Sequence, residues 1–313
     1  MATYVVRRLL QSVLVLLGVT TLAYFILFQT GDPTFLSVST DATQAEVERV
    51  RHLLGFDRPW YIQYGEFLGK AVQGDFGTSL RQGLPVTQIV LERLPATLEL
   101  SAAAILIALL VAFPVGIISA TRRNSVWDQS SMLGAMVGQS APNFFLGIML
   151  LFVFGGMLNW FPIGGRGQGG PEDELRHLVL PALTLSAFSM ARNARLVRSS
   201  LLETLGLEYV TVAWAKGLAE RAVVLRHALR NALIPVVTVV GLEFGALLGG
   251  AVITETVFAW PGVGALVVKA IGQKDFPVVV GCVTMLATVF VTLNLAVDLL
   301  YGYLDPRVRA TRQ

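Results

Sequence analysis

An all-α polytopic membrane protein is what this sequence predicts, with six transmembrane helices and a sizeable loop domain outside the membrane after the first. Three observations carry the prediction. Only 14% of the 313 residues are charged while 54% are hydrophobic, and a soluble domain has about a quarter of its residues charged. Long apolar runs recur from one end to the other, and in hydrocarbon such a run satisfies its own backbone only as a helix. The single cysteine, Cys282, lies inside one of those runs, so there is no disulfide framework and no cysteine-based metal site.

The expected spans fall at 9–29, 97–120, 131–157, 176–197, 232–257 and 277–301. Leu9 to Phe28 is uncharged and long enough to cross about 30 Å of hydrocarbon. It is longer than a usual signal-peptide apolar region and no small-x-small cleavage site follows, so it reads as a retained helix. The fourth span is the weakest, because only the stretch between Arg176 and Arg192 lacks Arg and Lys. It can still cross if Arg192, Arg195 and Arg198 reach an interface by snorkelling. These three stand at i, i+3 spacing on one helix face. The chain divides accordingly into 1–30 with the first helix, an outer loop domain at 31–95, and a membrane domain at 96–313 with a cytoplasmic loop at 199–231.

Orientation follows from the basic residues. With the N-terminus inside, the cytoplasmic segments hold 14 Arg and Lys and the short outer loops hold 4. The long first loop is exempt from the positive-inside rule. Both termini are therefore expected in the cytoplasm. The first loop reads as ordered: Thr43-x-x-Glu46 is a capping box and Gly55 suits the end of the helix that Thr43 opens. Pro59 suits the first turn of a second helix, and GDFGTS (74–79) is turn-rich. This is either a folded cap on the membrane domain or a docking surface for an external partner.

Several chemistries lack their residues. There is no G-x-x-x-x-G-K-[ST], since the only Gly-Lys pair, Gly69-Lys70, is followed by Ala71. There is no H-E-x-x-H, G-x-S-x-G or C-x-x-C, and His52, His177 and His227 are scattered. Gly165-x-Gly167-x-x-Gly170 matches a dinucleotide fingerprint only as a string, since no strand precedes it. No catalytic residue, cofactor site or metal site is expected in this chain.

The stretch YVTVAWAKGLAERAVVLRHALRNALIP, 209–235, is basic and amphipathic, and Gly217 splits it into two helical pieces. In the second piece Ala222, Leu225, Leu229, Ala232 and Leu233 fall on one face, with Arg226, His227 and Arg230 elsewhere. Such a helix can lie along a membrane surface, or it can dock into a cytoplasmic partner. A docked helix transmits motion only if its turn is fixed, and glycine permits a tight turn at positive φ.

Ala213-Trp-Ala-Lys-Gly217 followed by RHALRNALIP (226–235) resembles the cytoplasmic coupling loop of ABC importer permeases of the dipeptide/oligopeptide/nickel family. The resemblance runs nearly end to end through RRLL (7–10), GDP (31–33), GDFGTS (74–79), RLPATLEL (93–100), LPALTL (180–185), ETVFAWPGVG (255–264) and DLLYGYLDPRVR (298–309). It is closest in kind to the B-type subunit. The resemblance implies the type I importer permease fold in a bacterial inner membrane. It also implies four kinds of partner: a second, similar C-type permease, two cytoplasmic ABC ATPases, an extracytoplasmic solute-binding protein, and the lipid bilayer. No nucleic acid is expected. ATP and Mg would be bound by the ATPases. The coupling residues implied are Tyr209, Thr211, Ala213, Ala215, Lys216, Gly217, Arg226, His227, Arg230, Asn231 and Pro235. The wider superfamily pattern is Glu-Ala-Ala-x-x-x-Gly, and here Thr211 and Val212 replace its Glu and first Ala.

Gly241, Gly245 and Gly249 are tandem small-x-x-x-small spacings. They suit tight helix packing or a face along the pathway. Glu243 in the same span is costly in lipid and should meet a cavity or a partner. It reads equally as pathway-lining or as a structural hydrogen-bonding group. Glu255 and Asp298 read as structural. Arg192, Arg195 and Arg198 either snorkel or touch the ATPase or the coupling loop. A stand-alone ion-coupled transporter or channel would show the same apolar profile. It would need paired intramembrane charges or an internal repeat, and Glu243 has no cation near it in sequence.

Overall fold

The computed structural model of the chain describes residues 2–29, 34, 38, 43–55 and 57–304. The GDP motif and the arginines at 307, 309 and 312 lie outside them. The described residues are almost wholly helical, and their only β feature is an isolated bridge between Thr78 and Pro85.

In chain order the helices are α1 (Ala2–Gln29), α2 (Gln44–Leu54), α3 (Trp60–Ala71), α4 (Val86–Thr121), α5 (Val126–Ser140) and α6 (Asn143–Leu150), the last prolonged by a π-helical stretch, Leu151–Met157. There follow α7 (Pro171–Leu205), α8 (Glu208–Ala215), α9 (Glu220–Ala222) with a π-helical stretch Val223–Ala228, α10 (Leu229–Val257), α11 (Val263–Gly272) and α12 (Phe276–Leu304). Among the described residues, four stretches are long and apolar enough to cross a membrane: Val5–Leu27, Val86–Thr121, Glu220–Val257 and Phe276–Leu299. A fifth is the pair Val126–Ser140 and Asn143–Met157, if counted as one span. The sequence suggested a straight run at 131–157. The structure instead bends it by 105°, because Pro142 cannot continue α5 and its predecessor Ala141 takes extended backbone (φ −76°, ψ 127°). The expected fourth span lies within α7, which is 35 residues long. Its acidic first turn and its four arginines keep it below the apolarity of the others.

The chain forms two compact units, one from 1–97 with 261–313 and one from 98–260. In the first unit α1 packs on α12, where Arg8 meets Asp298 at 2.7 Å. Thr20 and Thr21 of α1 bond the Tyr64 hydroxyl of α3 at 2.9 and 2.8 Å. The helix-cap expectations for 43–55 hold. Thr43 and Glu46 form a full capping box, and Gly55 closes α2 at φ +73°. The Thr43 amide and then its hydroxyl hold the Glu46 carboxyl below the usual range. Pro59 precedes α3 as its cap residue.

The membrane-domain boundary expected at 96 falls inside a helix, since α4 begins at Val86. The cause is apolar spacing: Val86, Ile89 and Val90 bury against Val263, Val267, Val278 and Cys282. Gly281 allows the approach, because a Cβ there would lie 2.4 Å from Val86 Cγ1. GDFGTS is tied down by Asp275, whose carboxylate accepts from Ser79 Oγ (2.5 Å), Leu80 N (3.1 Å) and Arg81 N (3.4 Å).

In the second unit α7 packs against α5, α6 and α10. Gly116 on α4 touches α7, where a Cβ would sit 2.7 Å from Val197 Cβ and 2.8 Å from the Ala194 carbonyl. The glycine string at 165–170 is a loop folded onto the start of α7. Gln168 N and Gly169 N each donate to Asp173 Oδ2 at 3.0 Å. The Gly169 amide leads in holding that carboxyl low.

Candidate functional site

The segment from Leu205 to Pro235 connects α7 to α10. Helix α8 starts where the Leu207 carbonyl accepts from Val210 N (3.0 Å) and Thr211 N (3.3 Å). Glu208 in its first turn complements the positive end of the helix. The helix then buries one narrow face. Val210 and Ala213, three residues apart, sit with Ala120, Leu201, Val223, Val224, Ala228 and Ala232 in one apolar cluster. The other face is open: Tyr209, Val212 and Trp214 are 40%, 52% and 43% exposed. Such apolar exposure on a helix fixed from below is unusual unless something covers it.

The turn after α8 is the one the sequence anticipated. Gly217 has φ +76°, and its amide donates to the Trp214 carbonyl at 2.9 Å. The chain re-enters helix at Glu220, and the two pieces are tied together. Asn231 Nδ2 donates to the Tyr209 hydroxyl at 2.7 Å, and that hydroxyl donates to the His227 carbonyl at 3.4 Å.

The structure therefore brings Tyr209, His227 and Asn231 together and buries Ala213. Thr211, Ala215, Lys216, Gly217, Arg226 and Arg230 are exposed, and Pro235 lies within α10. The apolar face of the second piece is turned from the expected one. Val223, Val224, Ala228 and Ala232 are buried, whereas Leu225 is exposed. The π-helical stretch at Val223–Ala228 adds residues per turn and so rotates the face. The piece also runs straight into α10 as part of one 38-residue apolar helix.

Three of the four arginines of α7, Arg192, Arg195 and Arg198, form a ladder. Arg198 binds Asp128 through two bonds, Nε to Oδ1 at 2.7 Å and Nη2 to Oδ2 at 2.8 Å. Asp128 is nearly buried and sits in the first turn of α5, capped by Ser125. Arg195 Nη2 donates to the side-chain amide oxygen of Gln139, Oε1. Arg192 lies 3.4 Å from Glu243, and Asn193 Nδ2 donates to the other Glu243 oxygen at 2.7 Å. Glu243 thus has a cationic partner that sequence order hid. Gly245 is buried and Gly241 half-buried, whereas Gly249 is exposed with open space above it, so the three do not form one packed face.

Sequence reasoning missed Asp128, Gln139 and Asn193. Ser125-x-x-Asp128 was a readable capping spacing, but the partners of Gln139 and Asn193 lie more than 40 residues away. Among the described residues no cluster of three His, Cys, Asp or Glu could hold a metal.

Residues 112–310 match the family described as "Binding-protein-dependent transport system inner membrane component", and residues 1–101 match its N-terminal companion. The chain belongs to this family. It is 40% identical to the oligopeptide transport system permease protein AppB of Bacillus subtilis, covering 98% of this chain and 99% of that one. It is 39% identical to the dipeptide permease DppB of Alkalihalophilus pseudofirmus, covering 99% and 100%. It is 36% identical to DppB of Escherichia coli K12, covering 99% of each. An inward-facing MetNI methionine ABC transporter structure shares the fold at 16% identity, with TM-score 0.57, over 70% of this chain and 97% of that one. This protein is thus a multi-pass inner-membrane permease subunit of an ABC importer. The stand-alone transporter reading falls, although paired charges are present within the helices.

Proposed function

We propose that this permease forms half of a translocation pathway for dipeptides and oligopeptides, beside a second, similar permease. Six crossings place both termini in the cytoplasm, with α7 as the fourth and the bent α5–α6 pair as the third. Two ATPases bear on the segment 199–231 from inside, and a solute-binding protein docks outside on the 31–95 region. ATP and Mg belong to the ATPases.

The observation that carries this reading is the two-faced α8. Val210 and Ala213 anchor it in the permease, while Tyr209, Val212 and Trp214 face outward next to a turn fixed at Gly217. A rigid, half-buried lever of this kind delivers a push from an ATPase to α7 and α10. Closing of the ATPases would draw the levers together and open the path outward; release would reverse it. The peptide assignment is supported by the names of full-length relatives at 36–40% identity.

The test is to purify the tagged chain from its native membrane in mild detergent. Its partners are then identified, and ATP hydrolysis is measured with dipeptides and the binding protein added. Co-purified permease and ATPases with peptide-stimulated hydrolysis support the proposal. A chain that arrives alone, or hydrolysis indifferent to every peptide, refutes it.

A further inference from the structure

The arginine ladder of α7 carries one positive charge too many. Its three rungs are Arg192 with Glu243, Arg195 with Gln139, and Arg198 with Asp128. The outer rungs are closed by carboxylates. The middle guanidinium meets only a neutral amide oxygen, and it is exposed. Its remaining N–H groups have no partner within the second unit. Arg195 stands ten residues before the end of α7, about 15 Å along the helix from the coupling segment. It is also one turn deeper than the Arg198–Asp128 pair.

A guanidinium at that depth is costly against lipid and belongs on a water-filled or protein-covered face. Its partner points the same way. Gln139 is in the last turn of α5, immediately before the 105° break. Broken helices are tolerated in membranes where they line a cavity. The pairs on either side fix the rung in place, because Arg198 and Arg192 hold α7 to α5 and to α10. What results is a positioned, exposed, bidentate-capable donor whose one side-chain acceptor is a neutral amide.

We propose that Arg195, oriented by Gln139, binds the terminal carboxylate of the transported peptide at the inner part of the pathway. This rests on the peptide-importer reading above. The chemistry suits a permease that must accept many side chains: a free carboxylate is the group all linear peptides share, and one arginine reads it without reading the sequence.

Two experiments test the assignment. In the first, the complete transporter with its binding protein is reconstituted in proteoliposomes. ATP-driven uptake of dialanine is then measured for wild type, Arg195→Lys and Arg195→Gln, together with subunit stoichiometry. Arg195→Gln should lose about tenfold or more in kcat/KM, as expected for one charge-assisted pair. Arg195→Lys should recover much of that loss.

The second uses Ser199→Cys, one turn from Arg195 and exposed, in a chain whose only native cysteine, Cys282, is fully buried. A negatively charged thiosulfonate should label it about tenfold faster than a positively charged one, since a fixed charge concentrates its counter-ion. Arg195→Gln should abolish that preference, and saturating dialanine should slow labelling. Loss of the second permease from Arg195→Gln would make the anion a carboxylate of the neighbouring subunit and overturn the proposal. Uptake equal to wild type, or labelling indifferent to charge, would overturn it as well. A wild-type transporter that moves no dialanine sinks the peptide reading and the identity of the anion with it. Dialanine uptake by wild type matched by Arg195→Gln sinks the Arg195 assignment alone.

Discussion

Replacing Gly217 separates the shape of the proposed coupling segment from its attachment. The residue is at φ +76° and a Cβ there would meet nothing within 4 Å. Gly217→Ala therefore adds no clash, only the left-handed backbone strain of about 1 kcal/mol. Gly217→Pro is a different perturbation. The ring holds φ near −65°, a rotation of roughly 140° from the native turn, and costs about 3 kcal/mol or more. It also deletes the amide that donates to the Trp214 carbonyl at 2.9 Å. The turn must then be rebuilt and α8 re-aimed. Neither change touches Val210 or Ala213, so the chain should still reach the membrane in normal amount. In proteoliposomes the ratio of peptide moved to ATP hydrolysed should stay within about twofold of wild type for Ala, since 1 kcal/mol is at most about fivefold and is spread over the folded state. For Pro the ratio should fall about tenfold or more while hydrolysis continues. A proline variant that couples normally would refute the lever argument, and so would an alanine variant as impaired as proline.

Asp275→Ala leaves the buried Ser79 hydroxyl and the Leu80 amide without their carboxylate. The cost of about 2–3 kcal/mol should lower the thermal midpoint of the purified transporter by several degrees, and a midpoint within one degree of wild type would contradict the latch. Gly281→Val places a Cβ 2.4 Å from the fully buried Val86 and 3.3 Å from Phe76. Overpacking of about 1–3 kcal/mol or more should show as reduced membrane levels on immunoblot, whereas Gly134→Ala, with open space around it, should match wild type. Tyr209→Phe removes the hydroxyl that ties α8 to the start of α10. Hydrogen exchange in Tyr209–Ala215 should quicken by about fivefold, the equivalent of roughly 1 kcal/mol.

Local features were legible in the sequence because their causes are local. Thr43, Glu46 and Gly55 announced a capped helix, and Gly217 announced a positive-φ turn. The bend at Ala141–Pro142 was hidden in an apolar run that hydropathy reads as continuous, although Pro142 was the signal. The buried face of 222–233 was misaligned because a π-helical stretch changes the period that a 3.6-residue pattern assumes. The ladder on α7 was visible only as a row of cations. Its partners Asp128, Gln139 and Glu243 come from other helices, and only the fold brings them near. The start of α4 at Val86 was obscured because its first turns bury against α11 and α12 rather than continuing the span.

Glu243 is where the sequence left two readings open, and the structure decides what the experiment must separate. Its carboxylate joins α10 to α7 through Asn193, which is fully buried, and through Arg192. Those two helices are the ones that enter and leave the coupling segment. The tie at Glu243 and the apolar cluster around Val210 and Ala213 join α7, α8 and α10 at two separate places. On the proposed lever reading, a push on α8 would then move both helices instead of bending either. Glu243→Gln keeps an acceptor for Asn193 and should leave thermal stability and peptide uptake close to wild type. Glu243→Ala strands a buried amide at about 1–3 kcal/mol and should lower both. If Glu243 instead meets the amino group of the solute, the two readouts part: Gln would retain stability but lose uptake of peptides with a free amine. Measuring the thermal midpoint and uptake on the same two variants separates a brace from a binding group, because a brace needs the acceptor and a binding group needs the charge.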